Sequence, residues 1–224
     1  MALDDLRSVG ILGGTFNPPH LGHLATACHA RDELGLELVL LMPSHTPPHK
    51  PTADPGGEHR LRMCRLLVKD VGRLAACPLE IERRGPSYTV DTLKVIRASH
   101  PDAELTFIVG ADTASTLPAW REPAKLLELA DLAVAARAGT ARREVLDAVA
   151  PLTRARARAG SQPGREPVAA ERVRFLEAPV IEISSSMARE RVARGEPIDD
   201  LVGPAVARYV TEHGLYRSQT EAAS

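Results

Sequence analysis

Short apolar runs alternate along the chain with longer segments in which apolar residues recur every three or four positions. The short runs predict buried parallel strands, because a strand that is covered on both faces is apolar along its whole length. The periodic segments predict amphipathic helices. Strands are expected at residues 8–12, 37–42, 79–81, 105–109, 132–136, 173–176 and 180–183. Helices are expected at 24–34 and 58–69, from a cap at Ser87 or Thr89 to just before Pro101, from 121 onwards, and at 144–149, 184–195 and 204–214.

This regular alternation predicts an α/β fold: a Rossmann-like, doubly wound parallel sheet with right-handed crossovers, in a single domain. The domain is expected to span residues 1–217, and a tail follows at 218–224. The segment 139–172 is rich in Arg and Ala and contains the tract Arg154-Ala155-Arg156-Ala157-Arg158. Beyond its short helix we expect this segment to leave the domain as a mobile, solvated excursion, because such a composition buries little apolar surface.

Composition narrows the classes of partner. The 224 residues are 44% apolar, enough for one large core, but only 3% are aromatic, so aliphatic side chains must fill that core. A net charge of -1 gives no global attraction to nucleic acid or to a membrane, and the Arg tract lacks interleaved aromatics that stack on bases. Three cysteines without metal-ligand spacing indicate reduced thiols, and no apolar run approaches the roughly 18 residues of a membrane span. We expect a cytoplasmic protein.

The segment 13–23, Gly-Gly-Thr-Phe-Asn-Pro-Pro-His-Leu-Gly-His, is the strongest candidate for ligand binding. It lies between the first predicted strand and the first predicted helix. Its two glycines let a ligand approach the backbone closely, and the helix N-terminus offers free amide donors and a positive dipole end. His20 and His23 are three residues apart, so both imidazoles lie on one helix face. The segment therefore predicts an anion site, with phosphate as the expected anion.

A second anion site is predicted where Ser184, Ser185 and Ser186 open a later helix. Serine is a good helix N-cap, so one of the three needs no further reason. Arg189, expected in the first turn, is unfavourable at the positive end of a helix unless an anion is present. Hydroxyls, free amides and a guanidinium together predict a phosphate cup.

Other candidate residues lie at predicted strand ends and helix starts. Tyr88 opens a helix in a chain poor in aromatics and offers a stacking surface for a planar ligand. Asp112, after the strand 105–109, either binds a sugar hydroxyl or caps the next helix, and its spacing leaves both open. Lys50, in the proline-rich loop 43–57, is either a solvated charge or a cation at the sheet edge where ligands bind in α/β folds. Trp120 is by default a core anchor.

In this order the motifs resemble the nucleotidyltransferase superfamily that carries an HxGH motif, here His20-Leu21-Gly22-His23. Within it the chain resembles the bacterial nicotinate-nucleotide adenylyltransferase family. That resemblance rests on 13–23, 86–93, Gly-Ala-Asp at 110–112 followed by Trp120, and Ile-Ser-Ser-Ser at 183–186 followed by Arg189. It covers residues 8–216 and implies transfer of AMP from Mg-ATP to nicotinic acid mononucleotide, which gives the dinucleotide and pyrophosphate.

The resemblance also implies a role for each matched residue. His20, His23 and Arg189 would be catalytic, with His23 closest to the α-phosphate. It implies Mg²⁺ bound with ATP and no metal ion held by the protein. Three positions depart from the usual pattern, namely Asn17 in place of a frequent Asp, Ala138 in place of a common Pro, and Ala188 in place of a larger aliphatic residue. ATP would also contact Gly13, Gly14, Thr15, Phe16, Gly22, Gly110, Asp112, Arg137, Ser184 and Ser185, and the mononucleotide would contact Asn17, Lys50, Tyr88, Thr89 and Trp120.

Two alternatives stay open on sequence grounds. The first is the same reaction on nicotinamide mononucleotide or phosphopantetheine, although Tyr88, Thr89 and Trp120 favour an anionic pyridine over pantetheine. The second is a nonenzymatic nucleotide sensor, which intact His20, His23 and Arg189 disfavour. A zinc site at the two histidines lacks a nearby carboxylate or thiolate to complete it. Whether the chain forms a homo-oligomer is left open.

Overall fold

Six strands form a central parallel sheet in the computed structural model, which describes residues 6–47, 55–135, 141–160, 172–177 and 181–217. Their order across the sheet is β3-β2-β1-β4-β5-β6. Strand order therefore reverses between β1 and β4, and open α/β sheets bind ligands at the carboxyl ends of strands beside such a reversal. The strands are β1 (Ser8–Gly14), β2 (Leu38–Pro43), β3 (Leu74–Ala76), β4 (Glu104–Gly110), β5 (Asp131–Ala135) and β6 (Val173–Leu176).

Helices connect these strands, as the hydrophobic periodicity predicts. The α/β fold with a doubly wound parallel sheet is confirmed. None of the helices within the described ranges is both long and apolar enough to cross a membrane. The helices are α1 (Leu21–Glu33), α2 (Gly57–Val68), α3 (Leu79–Arg83), α4 (Thr89–Ser99), α5 (Ala111–Ser115), α6 (Pro123–Leu129), α7 (Ala141–Gly160), α8 (Ser185–Ala193), α9 (Asp199–Val202) and α10 (Pro204–Glu212), with a 3₁₀ turn at Leu117–Ala119.

The strands β1, β2, β4 and β5 are buried along most of their length, which explains their apolar sequences. All six residues of β2 are buried, and so are Phe107, Ile108 and Val109 of β4. β1 pairs with β4 in a register that places Leu12 opposite Ile108, and β4 pairs with β5, which pairs with β6. The core is aliphatic, as the scarcity of aromatic residues requires.

Backbone contacts group the chain into two compact units. The first unit comprises described residues within 1–13, 29–39 and 88–180, and it contains the paired strands β1, β4, β5 and β6. The second unit comprises described residues within 14–28, 40–87 and 181–224. The predicted boundaries, a domain at 1–217 and a tail at 218–224, remain a prediction.

Three sequence-based assignments are wrong. Residues 79–81 lie in α3 rather than in a strand, and the strand of this region is the three-residue β3. Residues 181–183 of the predicted strand 180–183 have no regular structure, because Ile181 and Glu182 are exposed and the Ile183 N–H bonds to the Ile181 carbonyl. The chain does not loop out after residue 149, since α7 continues to Gly160. Ala and Arg are both good helix formers, which favours this extension.

Candidate active site

The two histidines of the turn after β1 hydrogen-bond to each other's backbone at the start of α1. His20 is the residue before α1, and its Nδ1 accepts from the His23 N–H at 3.3 Å. The Nδ1 of His23 in turn accepts from the His20 N–H at 3.2 Å. These reciprocal bonds have the pattern of a capping box, in which the N-cap residue and the residue three positions later satisfy each other's backbone donors. The rings stack with centroids 3.6 Å apart, so the pair is a fixed unit.

This pairing fixes the tautomer of both rings. An Nδ1 that accepts a hydrogen bond carries no proton, so the proton of each neutral ring lies on Nε2. Burial lowers the pKa of His20 to about 4. Burial, and then the neighbouring His20, lower the pKa of His23 well below its ordinary value. At neutral pH the pair therefore offers two neutral Nε2–H donors.

Gly22 leaves room for the His20 ring, and Gly14 leaves room for Phe16, which packs against His23. A Cβ atom at Gly22 would lie 3.0 Å from Nδ1 of His20, closer than ordinary van der Waals contact. Phe16 is 2% exposed and has a positive φ of 52°, and its ring contacts that of His23 edge-on with centroids 4.8 Å apart. A Cβ at Gly14 would lie 3.2 Å from the Phe16 ring. The small residues of the motif thus serve the packing of the two imidazoles.

The second predicted anion site lies against the same turn, within the second unit. Ser185 Oγ donates to the carbonyl of Pro18 at 2.8 Å. Arg189 donates from Nη1 to the carbonyl of Asn17 at 2.6 Å and from Nη2 to Ser186 Oγ at 3.1 Å. The structure thus brings together the two groups of residues for which the sequence predicts phosphate binding.

Ser184 and Arg189 of the second site have different positions and roles in α8. Ser184 is the N-cap of α8, and its hydroxyl accepts from the Met187 N–H at 3.2 Å, so this serine has a capping role whether or not it binds phosphate. Arg189 is the fifth residue of α8, so the expectation that it lies in the first turn is wrong. Its long side chain reaches back toward the helix N-terminus, the direction in which helical side chains point. The guanidinium is therefore still at the start of the helix.

Two residues that hold the turn were not predicted from the sequence. Arg60 donates from Nη1 to the Thr15 carbonyl at 2.7 Å, and Tyr216 donates from its hydroxyl to Asn17 Oδ1 at 2.7 Å. They are separated in sequence from their partners by 45 and 199 residues. No local pattern signals contacts at such separations.

Tyr88, at the start of α4 in the first unit, is part of a charged cluster. The guanidinium of Arg121 lies 4.8 Å from the centre of the Tyr88 ring, within range of a cation–π interaction. Arg121 also donates to Asp91 Oδ2 at 3.2 Å. Lys94 donates to both carboxylate oxygens of Glu122 at 3.0 Å. Tyr88 and Thr89, the first residue of α4, are both partly exposed, as a ligand surface requires.

Trp120 is partly exposed, so its default assignment as a buried core anchor is wrong. Its Nε1 donates to Thr116 Oγ1 at 3.1 Å, and its ring meets Phe107 edge-on with centroids 6.0 Å apart. One ring edge is therefore anchored while other indole surface stays accessible to a planar ligand.

Gly13, Gly110 and Asp112 lie at the carboxyl ends of β1 and β4, also in the first unit. All three are exposed. Gly110 is the N-cap of α5, and the start of this short helix has no side-chain cap hydrogen bond. Asp112 lies in its first turn. The sequence leaves two roles open for Asp112, binding a sugar hydroxyl and capping the helix. Within the described residues its side chain makes no capping hydrogen bond. Lys50 and Arg137 lie outside the described residues, as do the other residues of 48–54 in the loop around Lys50.

The chain is similar to proteins of one family along nearly its whole length. The family model described as cytidylyltransferase-like matches residues 11–191. A protein of Synechococcus sp. (strain JA-3-3Ab) named as a probable nicotinate-nucleotide adenylyltransferase is 39% identical over 213 residues, which cover 94% of this chain and 95% of the relative. A protein of the same name from Thermomicrobium roseum is 39% identical over 220 residues, covering 95% and 93%.

Solved structures show the same fold. The nicotinic acid mononucleotide adenylyltransferase of Plasmodium falciparum, solved in complex with NaAD, superposes with a TM-score of 0.71. The match covers 94% of this chain and 97% of that one, at 18% sequence identity. At this level of identity the likeness bears on the fold alone.

Proposed function

The chain belongs to the cytidylyltransferase-like family and, within it, to the nicotinate-nucleotide adenylyltransferases of NAD biosynthesis, and we propose that the residues described above perform their reaction. In that reaction AMP passes from ATP to nicotinic acid mononucleotide, and pyrophosphate leaves. The observation that most directly supports the assignment of residues is the reciprocally bonded histidine pair, with Arg189 bound to the same turn.

The chemistry needs positioning and charge stabilisation rather than a base. The attacking oxygen belongs to the phosphate of the mononucleotide, which is already ionised at neutral pH. We propose that this oxygen attacks the α-phosphorus directly and in line, that the bond from the α-phosphorus to the bridging oxygen breaks, and that pyrophosphate carries away that electron pair. No covalent enzyme intermediate forms.

In this proposal ATP binds through its phosphates to the second-unit residues. The two Nε2–H donors of His20 and His23 bind oxygens of the α-phosphate, where charge develops in the transition state. Their fixed tautomer means that no reorganisation is needed when the ligand arrives. Ser185 and Arg189 bind the β- and γ-phosphates, and the N-termini of α1 and α8 add free amides and a positive dipole end. The neutral state of the histidines makes the guanidinium of Arg189 the main cation of this group that contacts phosphate.

We propose that the nicotinate ring binds at Tyr88, Thr89 and Trp120. The partly exposed aromatic rings offer stacking surfaces, and the backbone at the start of α4 offers free amide donors for the carboxylate. Asn17 and Lys50 remain proposed contacts of the mononucleotide, and Arg137 a proposed contact of ATP. The side-chain oxygen of Asn17 already accepts from Tyr216, so its amide nitrogen is the group left for a ligand.

Enzymes of this family generally use a divalent metal ion with ATP, and we propose Mg²⁺, bound as Mg-ATP. Within the part of the chain that the structure describes, no three His, Cys, Asp or Glu side chains group as metal ligands. Mg²⁺ keeps several bound waters and needs few protein ligands, so it can bind together with the phosphates of ATP. When bound, the ion would neutralise part of the phosphate charge. A cytoplasmic location and the lack of a nucleic-acid partner remain predictions.

The substrate assignment is tested by pyrophosphate release with Mg-ATP and each candidate mononucleotide. We expect release only when a mononucleotide is present, with kcat/KM at least about tenfold higher for the nicotinic acid form than for the amide, the ratio lost with one charge-assisted hydrogen bond. Equal rates would remove the acid preference, and a preference for phosphopantetheine would remove the pyridine site. If no pyrophosphate is released with any of these acceptors, the result would instead support the nucleotide sensor.

A further inference from the structure

Arg60, on α2 in the second unit, is a fully buried cation beneath the phosphate turn. Its exposed fraction is 0%, and it is one of the largest fully buried side chains of the described core. Besides the bond to the Thr15 carbonyl, its Nη2 donates to the carbonyl of His45 at 3.2 Å. It therefore joins the segments that follow β1 and β2. His45 is itself held by its N–H bond to Ser87 Oγ at 2.9 Å.

The bonds of Arg60 are part of a wider pattern in the turn. The carbonyls of Thr15, Asn17 and Pro18 accept from Arg60, Arg189 and Ser185, respectively. A carbonyl oxygen repels a phosphate oxygen, whereas a backbone N–H attracts it. By occupying these carbonyls, protein donors leave the turn more electropositive toward an anion. Arg60 contributes to this without lying on the turn itself.

The charge of Arg60 has no anionic partner within the described ranges. The titratable neighbours that act on it are Cys64 and Tyr216, a thiol and a phenol. Burial raises the pKa of the Cys64 thiol, so this group is neutral at physiological pH. Burial lowers the pKa of Arg60, but a guanidinium stays protonated in proteins. An unpaired buried charge is costly, so its presence calls for a compensating anion.

We infer that the charge of Arg60 strengthens binding of the ATP phosphates, which act as its missing counterion, and that Arg60 does this as a positioning residue without contacting ATP. This inference rests on the proposed function, since it takes the triphosphate as the anion that binds the turn. Arg189 touches phosphate in that proposal, whereas Arg60 acts through the turn and through its electric field.

The test replaces Arg60 with methionine, which has a similar length and no charge. In the R60M variant we expect the KM for ATP to rise about tenfold or more, the order of effect of one nearby unit charge on an anion at an effective dielectric constant of about 20. The KM for nicotinic acid mononucleotide is expected to change less than about threefold. Calorimetric titration of inorganic tripolyphosphate should show the same loss of affinity. Unchanged binding of ATP and tripolyphosphate in a folded R60M variant would overturn the inference.

Arg97 provides a matched control, because it also binds backbone carbonyls but lies in the first unit. It donates to the carbonyls of Pro101, Ala103 and Leu129 at 2.9, 2.6 and 3.0 Å. We expect R97M to lower the free energy of unfolding and to leave the affinity for tripolyphosphate unchanged. A similar loss of phosphate affinity in R97M would assign the effect in R60M to general destabilisation.

If R60M does not fold, R60K decides the question. Lysine keeps a cation at this position but cannot hold both carbonyls with a fork, so we expect lower stability with a tripolyphosphate affinity within about threefold of wild type. A folded R60K variant that loses affinity tenfold would overturn the role of the charge. Because tripolyphosphate binding needs no turnover, this test stays separate from pyrophosphate release. Failure of pyrophosphate release with every acceptor would remove the proposed function and leave the phosphate-binding result standing.

Discussion

Replacing His23 with alanine is expected to lower kcat by about 10²-fold or more, the order lost with one preorganised transition-state donor. The Nε2–H of His23 is such a donor in our proposal, and its orientation is fixed by the bond from the His20 N–H to Nδ1. The measurement is pyrophosphate release at saturating ATP and nicotinic acid mononucleotide.

The His23→Asn variant separates donation from capping. Asparagine keeps a polar atom near the position of Nδ1, so it can still accept from the His20 N–H, but it has nothing at the position of Nε2. We expect H23N to lose about as much turnover as H23A while keeping more of the stability. His213→Ala is the control, because His213 is exposed and stacks on Tyr209 in a separate aromatic cluster of the second unit. A near-normal kcat in H23N or H23A would rule out the proposed role of His23.

Replacing Arg189 with alanine is expected to raise the KM for ATP by about 10- to 100-fold, the range lost with hydrogen bonds to a charged group. The effect on kcat should be smaller, because Arg189 is assigned to the β- and γ-phosphates, which are bound before and during the reaction. Arg191→Ala is a matched control on the same helix, since Arg191 pairs with Asp200 at 2.7 Å rather than with the turn. An ATP dependence equal to that of wild type in R189A would remove Arg189 from the phosphate site.

The sequence predicts most of the sheet because buried parallel strands leave a strong local signal. β1, β2, β4 and β5 contain apolar runs, and β6 has three apolar residues beside an exposed Arg174. The predicted bounds of these five strands differ from the structure by at most two residues at either end. β3 gives no such signal, because it is only three residues long. The apolar residues of 79–81 instead alternate with Glu80 and Glu82 in α3, where Ile81 packs inward at 5% exposure.

The length of α7 could not be predicted from the sequence, for a different reason. A charged, low-complexity composition predicts little burial, and it therefore predicts that the chain leaves the domain early. The backbone of α7 nevertheless continues through the Arg tract to Gly160, with Val145 and Val149 buried in its first half. Helix propensity extends a helix that packing has started, so composition alone did not mark its end.

The candidate site is predictable where its residues are neighbours in sequence. The spacing of His20 and His23 indicates a shared helix face, and the serines before Arg189 indicate a helix start with an unusual cation. The supporting contacts of Arg60 and Tyr216 depend on tertiary packing, so the sequence contains no local sign of them. The tautomer of the histidines also follows only from geometry, because it depends on which ring nitrogen accepts a backbone N–H.

¹⁵N NMR of the imidazole nitrogens in the ligand-free protein tests most directly whether the histidine pair acts as two neutral Nε2–H donors. Signals are assigned by their loss in the H20A and H23A variants. At pH 7 we predict a protonated Nε2 and an unprotonated Nδ1 in both rings. On acidification His20 should protonate only near pH 4, and His23 should remain neutral well below its ordinary pKa. Imidazolium signals from either ring at pH 7, or protons on Nδ1, would contradict the account.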